Sequence, residues 1–160
     1  MIIKIFDRET AEKVCTEFQD AYWISVNDVG YPLARLSVPK KLYLTFDDVT
    51  PYGIEYSIIH PFYKEQFEHR APVLFNTFMA KQICEFILSV KDDFATVCIH
   101  CYAGKSRSVA IGAALNTVIN AVHSPVLSHF RLFVKEYCYN TGLNFHVYNV
   151  LMNALIDTIK

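Results

Sequence analysis

The sequence predicts an α/β fold: a central, partly parallel sheet flanked by helices, with a functional loop joining a strand to a helix. Three observations predict it. Short runs rich in β-favouring residues alternate along the chain with segments of helical period. One run, TVCI at 96–99, is apolar throughout, the pattern of a parallel strand buried on both faces. The 160 residues are 52% hydrophobic and 19% charged, enough to core a single domain spanning 1–160 and too apolar for disorder.

Residues 2–6 (IIKIF) open the chain as a strand. Asp7 can cap a helix whose apolar positions are Ala11, Val14, Cys15 and Phe18. YWISV at 22–26 reads as a second strand. Residues 27–40 carry Gly30, Pro32 and Pro39 and read as irregular. KLYLTF at 41–46 is a third strand that runs directly into Asp47 and Asp48.

Residues 49–75 show no period and hold Pro51, Gly53, Pro61 and Pro72 with Tyr52, Tyr56, Phe62, Tyr63 and Phe67. A segment of this length is expected to be functional or partly structured, its aromatics tethering it or lining a groove. Asn76 or Thr77 can cap the next helix, with Phe78/Met79, Ile83, Phe86/Ile87 and Val90 on one face. Asp92-Asp93 reads as a solvated turn before strand 96–99. A helix over 108–122 is apolar nearly all round and should be buried. Residues 125–139 form a further helix on Val126/Leu127, Phe130, Phe133/Val134 and Tyr137, with Gly142 as its stop. A last helix at 144–159 repeats Phe145, Tyr148, Leu151/Met152, Leu155/Ile156 and Ile159.

Fifteen basic residues against sixteen acidic ones leave a net charge of −1, which removes the electrostatic reason to expect nucleic-acid binding. The longest apolar stretch, 109–122, is interrupted by Asn116 and Asn120, so no membrane span is expected. The apolar run before Asp7 is too short for a secretory leader. Five cysteines without CxxC spacing argue against a disulfide framework and for a reducing cytoplasm. Cys15 and Cys138 read as packing. His60, His69, His123, His129 and His146 lack ligand spacing, so neither metal nor cofactor is expected. A monomer is the expected state.

The chemistry concentrates in His100-Cys101-Tyr102-Ala103-Gly104-Lys105-Ser106-Arg107-Ser108. A strand ends, a tight loop begins at a cysteine, and a helix starts near Arg107. Backbone N–H groups of such a loop can turn inward as an anion cradle, helped by the positive end of the helix. Gly104 permits a backbone conformation that a side chain would block. A cysteine at the floor of the cradle is placed where a thiolate is favoured. Arg107 offers a planar fork for two oxygens of one phosphate. Lys105 is either a substrate-facing charge or a solvated one, and Ser108 serves as helix cap, catalytic aid or both.

HCYAGKSRS resembles the signature HCxxGxxRS of the cysteine-dependent protein tyrosine and dual-specificity phosphatases, and the chain is similar to their small dual-specificity-like branch. The resemblance covers roughly residues 40–158 and is specific in the loop and around Asp47-Asp48. It implies that Cys101 attacks phosphorus and becomes a phosphocysteine. Arg107 and the N–H groups of Tyr102, Ala103, Gly104, Lys105, Ser106 and Arg107 hold the equatorial oxygens. Ser108 stabilises the departing thiolate and His100 orients the loop. An aspartate protonates the leaving oxygen and later activates water; successive strand residues face opposite sides, so only one of Asp47 and Asp48 can point at the site, and the resemblance favours Asp48. Asp48 stands 53 residues before Cys101, so 49–75 reads as an insertion relative to the family.

The implied substrate is a phosphorylated protein, at phosphotyrosine and also at phosphoserine or phosphothreonine. A non-protein ester (a phosphoinositide, nucleotide or RNA 5′-phosphate) is the alternative, and a phosphate-binding module without turnover the third reading. The resemblance also allows a protective disulfide between Cys101 and either Cys84 or Cys98, beside a packing role for both.

Overall fold

Strand β1 (Ile2–Asp7) ends where Asp7 caps α1 (Arg8–Val14), its carboxylate accepting from the Thr10 N–H at 2.8 Å. The computed structural model describes residues 1–51, 67, 69–90, 95–123 and 143–159, the side chains of 119–123 and 159 excepted. A 3-10 turn (Cys15–Phe18) leads to β2 (Tyr22–Asn27), and the irregular residues 28–40 lead to β3 (Lys41–Thr45). Then come α2 (Thr77–Leu88), β4 (Thr96–Cys101), α3 (Arg107–His123) and α4 (Phe145–Ile159). The aromatics Tyr52, Tyr56, Phe62 and Tyr63, the pair Asp92-Asp93, the expected helix at 125–139 and its stop at Gly142 lie outside the described residues.

Among the described residues four strands stand in the order β1-β4-β2-β3, and every pairing between them is parallel. The expected sheet was only partly parallel. The difference comes from the connections: even β2 and β3 are joined by a crossover long enough to return the chain to the same end. The prediction of an α/β architecture holds. Among the described residues no helix is long and apolar enough to cross a membrane.

Alternation along the strands gives the sheet two cores. Ile24, Val26, Val97, Ile99 and Cys101 face the larger one, where they meet Ile83, Ile111, Leu115, Val147 and Leu151 from α2, α3 and α4. Trp23 and Cys98 face the smaller one, with Ala11, Cys15, Leu36 and Val38 and a ring cluster of Phe6, Phe18 and Trp23. No described residue of α3 from 107 to 118 is exposed, as its all-round apolar sequence predicts. On α2 and α4 most of the expected face packs inward: Met79, Ile83, Phe86 and Ile87, and Tyr148, Leu151, Met152 and Leu155, lie in or against the larger core. Phe78 is exposed while Ala80, Ile83 and Cys84 face inward. On α4 the stripe is Val147–Leu151–Leu155, leaving Phe145 and Ile156 at the surface. Both helices are rich in apolar residues, so the neighbours select the face.

Candidate active site

A parallel sheet delivers the ends of all its strands to one edge. Cys101 closes β4, Asp28 follows β2, and Asp47 and Asp48 lie just beyond β3. These residues meet around a cleft of about 720 Å³ that Arg107, Lys105 and the exposed Tyr31 and Tyr102 also line.

The loop after Cys101 is pressed onto the end of β1. The Arg8 N–H donates to the Tyr102 carbonyl at 3.1 Å. Gly104 sits at φ +67°, and a Cβ there would lie 2.7 Å from the Asp7 nitrogen and 2.9 Å from the Phe6 carbonyl carbon. Only glycine combines that left-handed backbone with so close an approach. The Ser106 carbonyl then accepts from the Ala110 N–H at 2.9 Å and starts α3. The first-turn N–H groups of a helix have no intrahelical acceptor, so this start faces the cleft with a positive end. Cys101 is buried at the base of the loop, its Sγ 3.1 Å from the Ser108 Oγ.

Arg107 is buried and held along one edge of its guanidinium. Nη1 donates to the Phe46 carbonyl at 2.8 Å, and Nη2 pairs with Asp28 Oδ1 at 2.7 Å. Its Nε, 3.7 Å from Asp48 Oδ2, makes no hydrogen bond among the described residues. A buried N–H without an acceptor is costly, and an anion placed between loop and Asp48 would satisfy it.

Asp47 and Asp48 have opposite surroundings. Asp47 is buried and takes two bonds from Arg70, at 2.6 Å each, and one from the Val73 N–H at 2.8 Å. Burial raises its proton affinity, but the bonds from Arg70 and Val73 outweigh this and hold its carboxyl below the usual carboxylate range. Asp48 is partly exposed beside the loop. Its Oδ1 accepts from Ser106 Oγ at 2.8 Å and from Asn144 Nδ2 at 2.9 Å.

His100 lies on the far face of the sheet. Its Nε2 is 2.8 Å from Ser25 Oγ, to which Asn27 Nδ2 also donates at 3.1 Å, while Asn27 Oδ1 accepts from the Ala34 N–H. Burial pushes His100 down to about 4, so the ring is neutral near pH 7.

The structure thus brings Cys101, Arg107, Ser108, Ser106, Lys105 and Asp48 together. It sets His100 behind the loop and engages Asp47, at the cleft wall, with Arg70 and the Val73 N–H. The Ser106 side chain turns toward Asp48, a contact the sequence did not indicate. Asp28 and Asn144 were also missed. Their signals were a carboxylate at the end of a sheet strand and a cap-type residue before a helical period. Cys101, Cys84 and Cys98 are free thiols, and the two candidate partners of Cys101 sit in different cores. Cys98 faces the opposite core, where burial pushes its thiol up to about 12. Cys84 shares the larger core with Cys101, and burial pushes its thiol up. Among the described residues no three His, Cys, Asp or Glu side chains gather in a way that could hold a metal ion.

No protein-family model matches the chain, and no curated protein matches it.

Proposed function

We propose that the protein is a cysteine-dependent phosphatase of the protein tyrosine and dual-specificity type, hydrolysing phosphotyrosine in proteins, with phosphoserine and phosphothreonine as further substrates. One observation carries the reading: a buried thiol at a helix start, 3.1 Å from Ser108 Oγ, beside a buried arginine whose Nε has no acceptor. Asp28 and the Phe46 carbonyl hold the guanidinium edge away from Asp48, which leaves Nε and the remaining Nη2 proton for two oxygens of one phosphate.

In this mechanism the Cys101 thiolate attacks phosphorus and the P–O bond to the leaving group breaks. Asp48 gives that oxygen its proton. The loop N–H groups of 102–107 and Arg107 stabilise the charge on the three equatorial oxygens. Water then attacks the phosphocysteine, Asp48 takes a proton from it, and the P–S bond breaks. Ser108 donates to the departing thiolate, and inorganic phosphate leaves. The cycle consumes only water and requires a reduced Cys101, which fits a monomer working in the cytoplasm.

The test is hydrolysis of p-nitrophenyl phosphate in excess EDTA, followed by panels of phosphopeptides and phosphoinositides. Turnover resistant to EDTA, blocked by vanadate and faster on phosphotyrosine peptides than on lipid esters is expected. Turnover that needs an added divalent metal contradicts the reading.

A further inference from the structure

Building on that reading, we infer that Asn144 is a positioning residue for proton transfer: its amide determines which oxygen of Asp48 carries the proton. Asn144 precedes α4 and is buried. Its Oδ1 accepts from the Val147 N–H at 3.2 Å, as the cap of that helix. Its Nδ2 donates to Asp48 Oδ1 at 2.9 Å and reaches the Val49 carbonyl at 3.4 Å. Turning the amide over would set its oxygen against two acceptors and its NH2 against an N–H donor. The network therefore fixes its orientation.

Asp48 Oδ1 has two lone pairs and two donors, Asn144 Nδ2 and Ser106 Oγ. The two donors are not equivalent. A serine hydroxyl rotates and can accept as readily as donate, so it would tolerate a proton on Oδ1. An amide NH2 can only donate, and it bonds the more basic unprotonated oxygen better than a protonated one, so it favours Oδ1 as the carbonyl oxygen. The proton consequently resides on Oδ2, the oxygen facing the Arg107 Nε at 3.7 Å. That is the side on which a phosphate and its leaving oxygen would lie. The charged groups around Asp48 are Arg107 from α3, the Asp47–Arg70 pair beside it, and Asp28, Lys105 and Cys101 across the cleft. Apart from Ser106, Asn144 is the neutral side chain seen to bond the Asp48 carboxylate among the described residues.

Asn144→Asp and Asn144→Ser test this, because both residues cap helices and preserve that function. Each is measured for thermal stability, for the pH dependence of kcat and for rates across phenyl phosphates of varied leaving-group pKa. In Asn144→Asp a second carboxylate faces Oδ1, and like charges hinder ionisation. The alkaline limb of kcat should move up by roughly one pH unit, and in Asn144→Ser by less. In Asn144→Ser unsubstituted phenyl phosphate should slow about tenfold more than p-nitrophenyl phosphate, part of the roughly 10²–10⁴-fold worth of an acid. Folded variants whose alkaline limb and leaving-group dependence match wild type would make Asn144 a helix cap only and overturn the inference. So would a loss equal for every leaving group with an unmoved limb. Wild-type protein without EDTA-resistant turnover would instead overturn the phosphatase reading beneath it.

Discussion

The two sides of the cleft are built in different ways. The thiol side is nearly contiguous: Cys101, the loop 102–106, Arg107 and Ser108 occupy one strand end, one turn and one helix start. The carboxylate side is assembled from distant pieces. Asp48 is held by Ser106, 58 positions away, and by Asn144, 96 positions away, while its neighbour Asp47 is clasped by Arg70. The contiguous side is shaped by local backbone rules, and the assembled side depends on tertiary packing. Substitutions on the thiol side should therefore damage chemistry, and cost the fold only where a side chain also bonds distant residues, as Arg107 does with Phe46 and Asp28. Those on the carboxylate side should divide into chemical effects at Asp48 and structural effects at Asp47.

The largest effect expected from this contrast, after loss of the thiol itself, is at Arg107. Arg107→Lys should lower kcat by about 10²–10³-fold, comparable with losing a major oxyanion donor, because lysine cannot present two parallel N–H groups. Its thermal stability should also fall, since the bonds to Phe46 and Asp28 go with the guanidinium. Steady-state kinetics that leave Arg107→Lys near wild type would remove bidentate recognition from the account.

Next in size is the separation of the two aspartates. Asp48→Asn should slow unactivated phenyl phosphates by about 10²-fold, the lower end of what a general acid contributes, with a smaller loss on p-nitrophenyl phosphate, and erase the alkaline limb of the rate profile. Asp47→Asn should retain wild-type leaving-group dependence. Instead it should cost about 1–3 kcal/mol of stability, because Arg70 loses its ionic partner. Exchanged behaviours in the two variants would show that the register of this segment is displaced by one residue.

How much of this was legible follows the same division. The nine residues from His100 to Ser108 carry their geometry in their spacing, and Asp7 and Asn76 cap their helices as their positions predict. The proposed acid, Asp48, could be chosen from the sequence only by resemblance. What supports that choice physically, the Arg70 clasp on Asp47 and the amide of Asn144, arises from contacts that no local pattern encodes. Asp28 was hidden for a related reason. Residues 28–40 read as irregular, and only the parallel placement of β2 beside β4 turns a loop aspartate into the partner of Arg107. The periods of α2 and α4 marked most of the inward residues, while packing left Phe78, Phe145 and Ile156 at the surface.

The last expected effect, on stability alone and not on turnover, lies behind the loop. His100 is held at about 4 by burial, against 6.5 as its ordinary value. As pH falls through 6.5 the unfolded chain takes up a proton that the native ring refuses, so stability declines. The decline levels off below about 4, where the native ring also protonates. The full contribution is about 3 kcal/mol. Denaturant titrations of His100→Gln between pH 7 and 4 should show a flatter dependence than wild type. Parallel curves would mean that the ring is not kept neutral by its burial.

The central claim is that Cys101 becomes phosphorylated during turnover. Rapid acid quench of the enzyme with excess aryl phosphate in EDTA, followed by peptide mass spectrometry, tests it directly. The account predicts one added phosphoryl group on the peptide containing Cys101. It should be enriched in Asp48→Asn, where the hydrolytic base is missing, and absent in Cys101→Ser. Product formed by wild-type protein with no phosphoryl group on Cys101, or with the group on another residue, would contradict it.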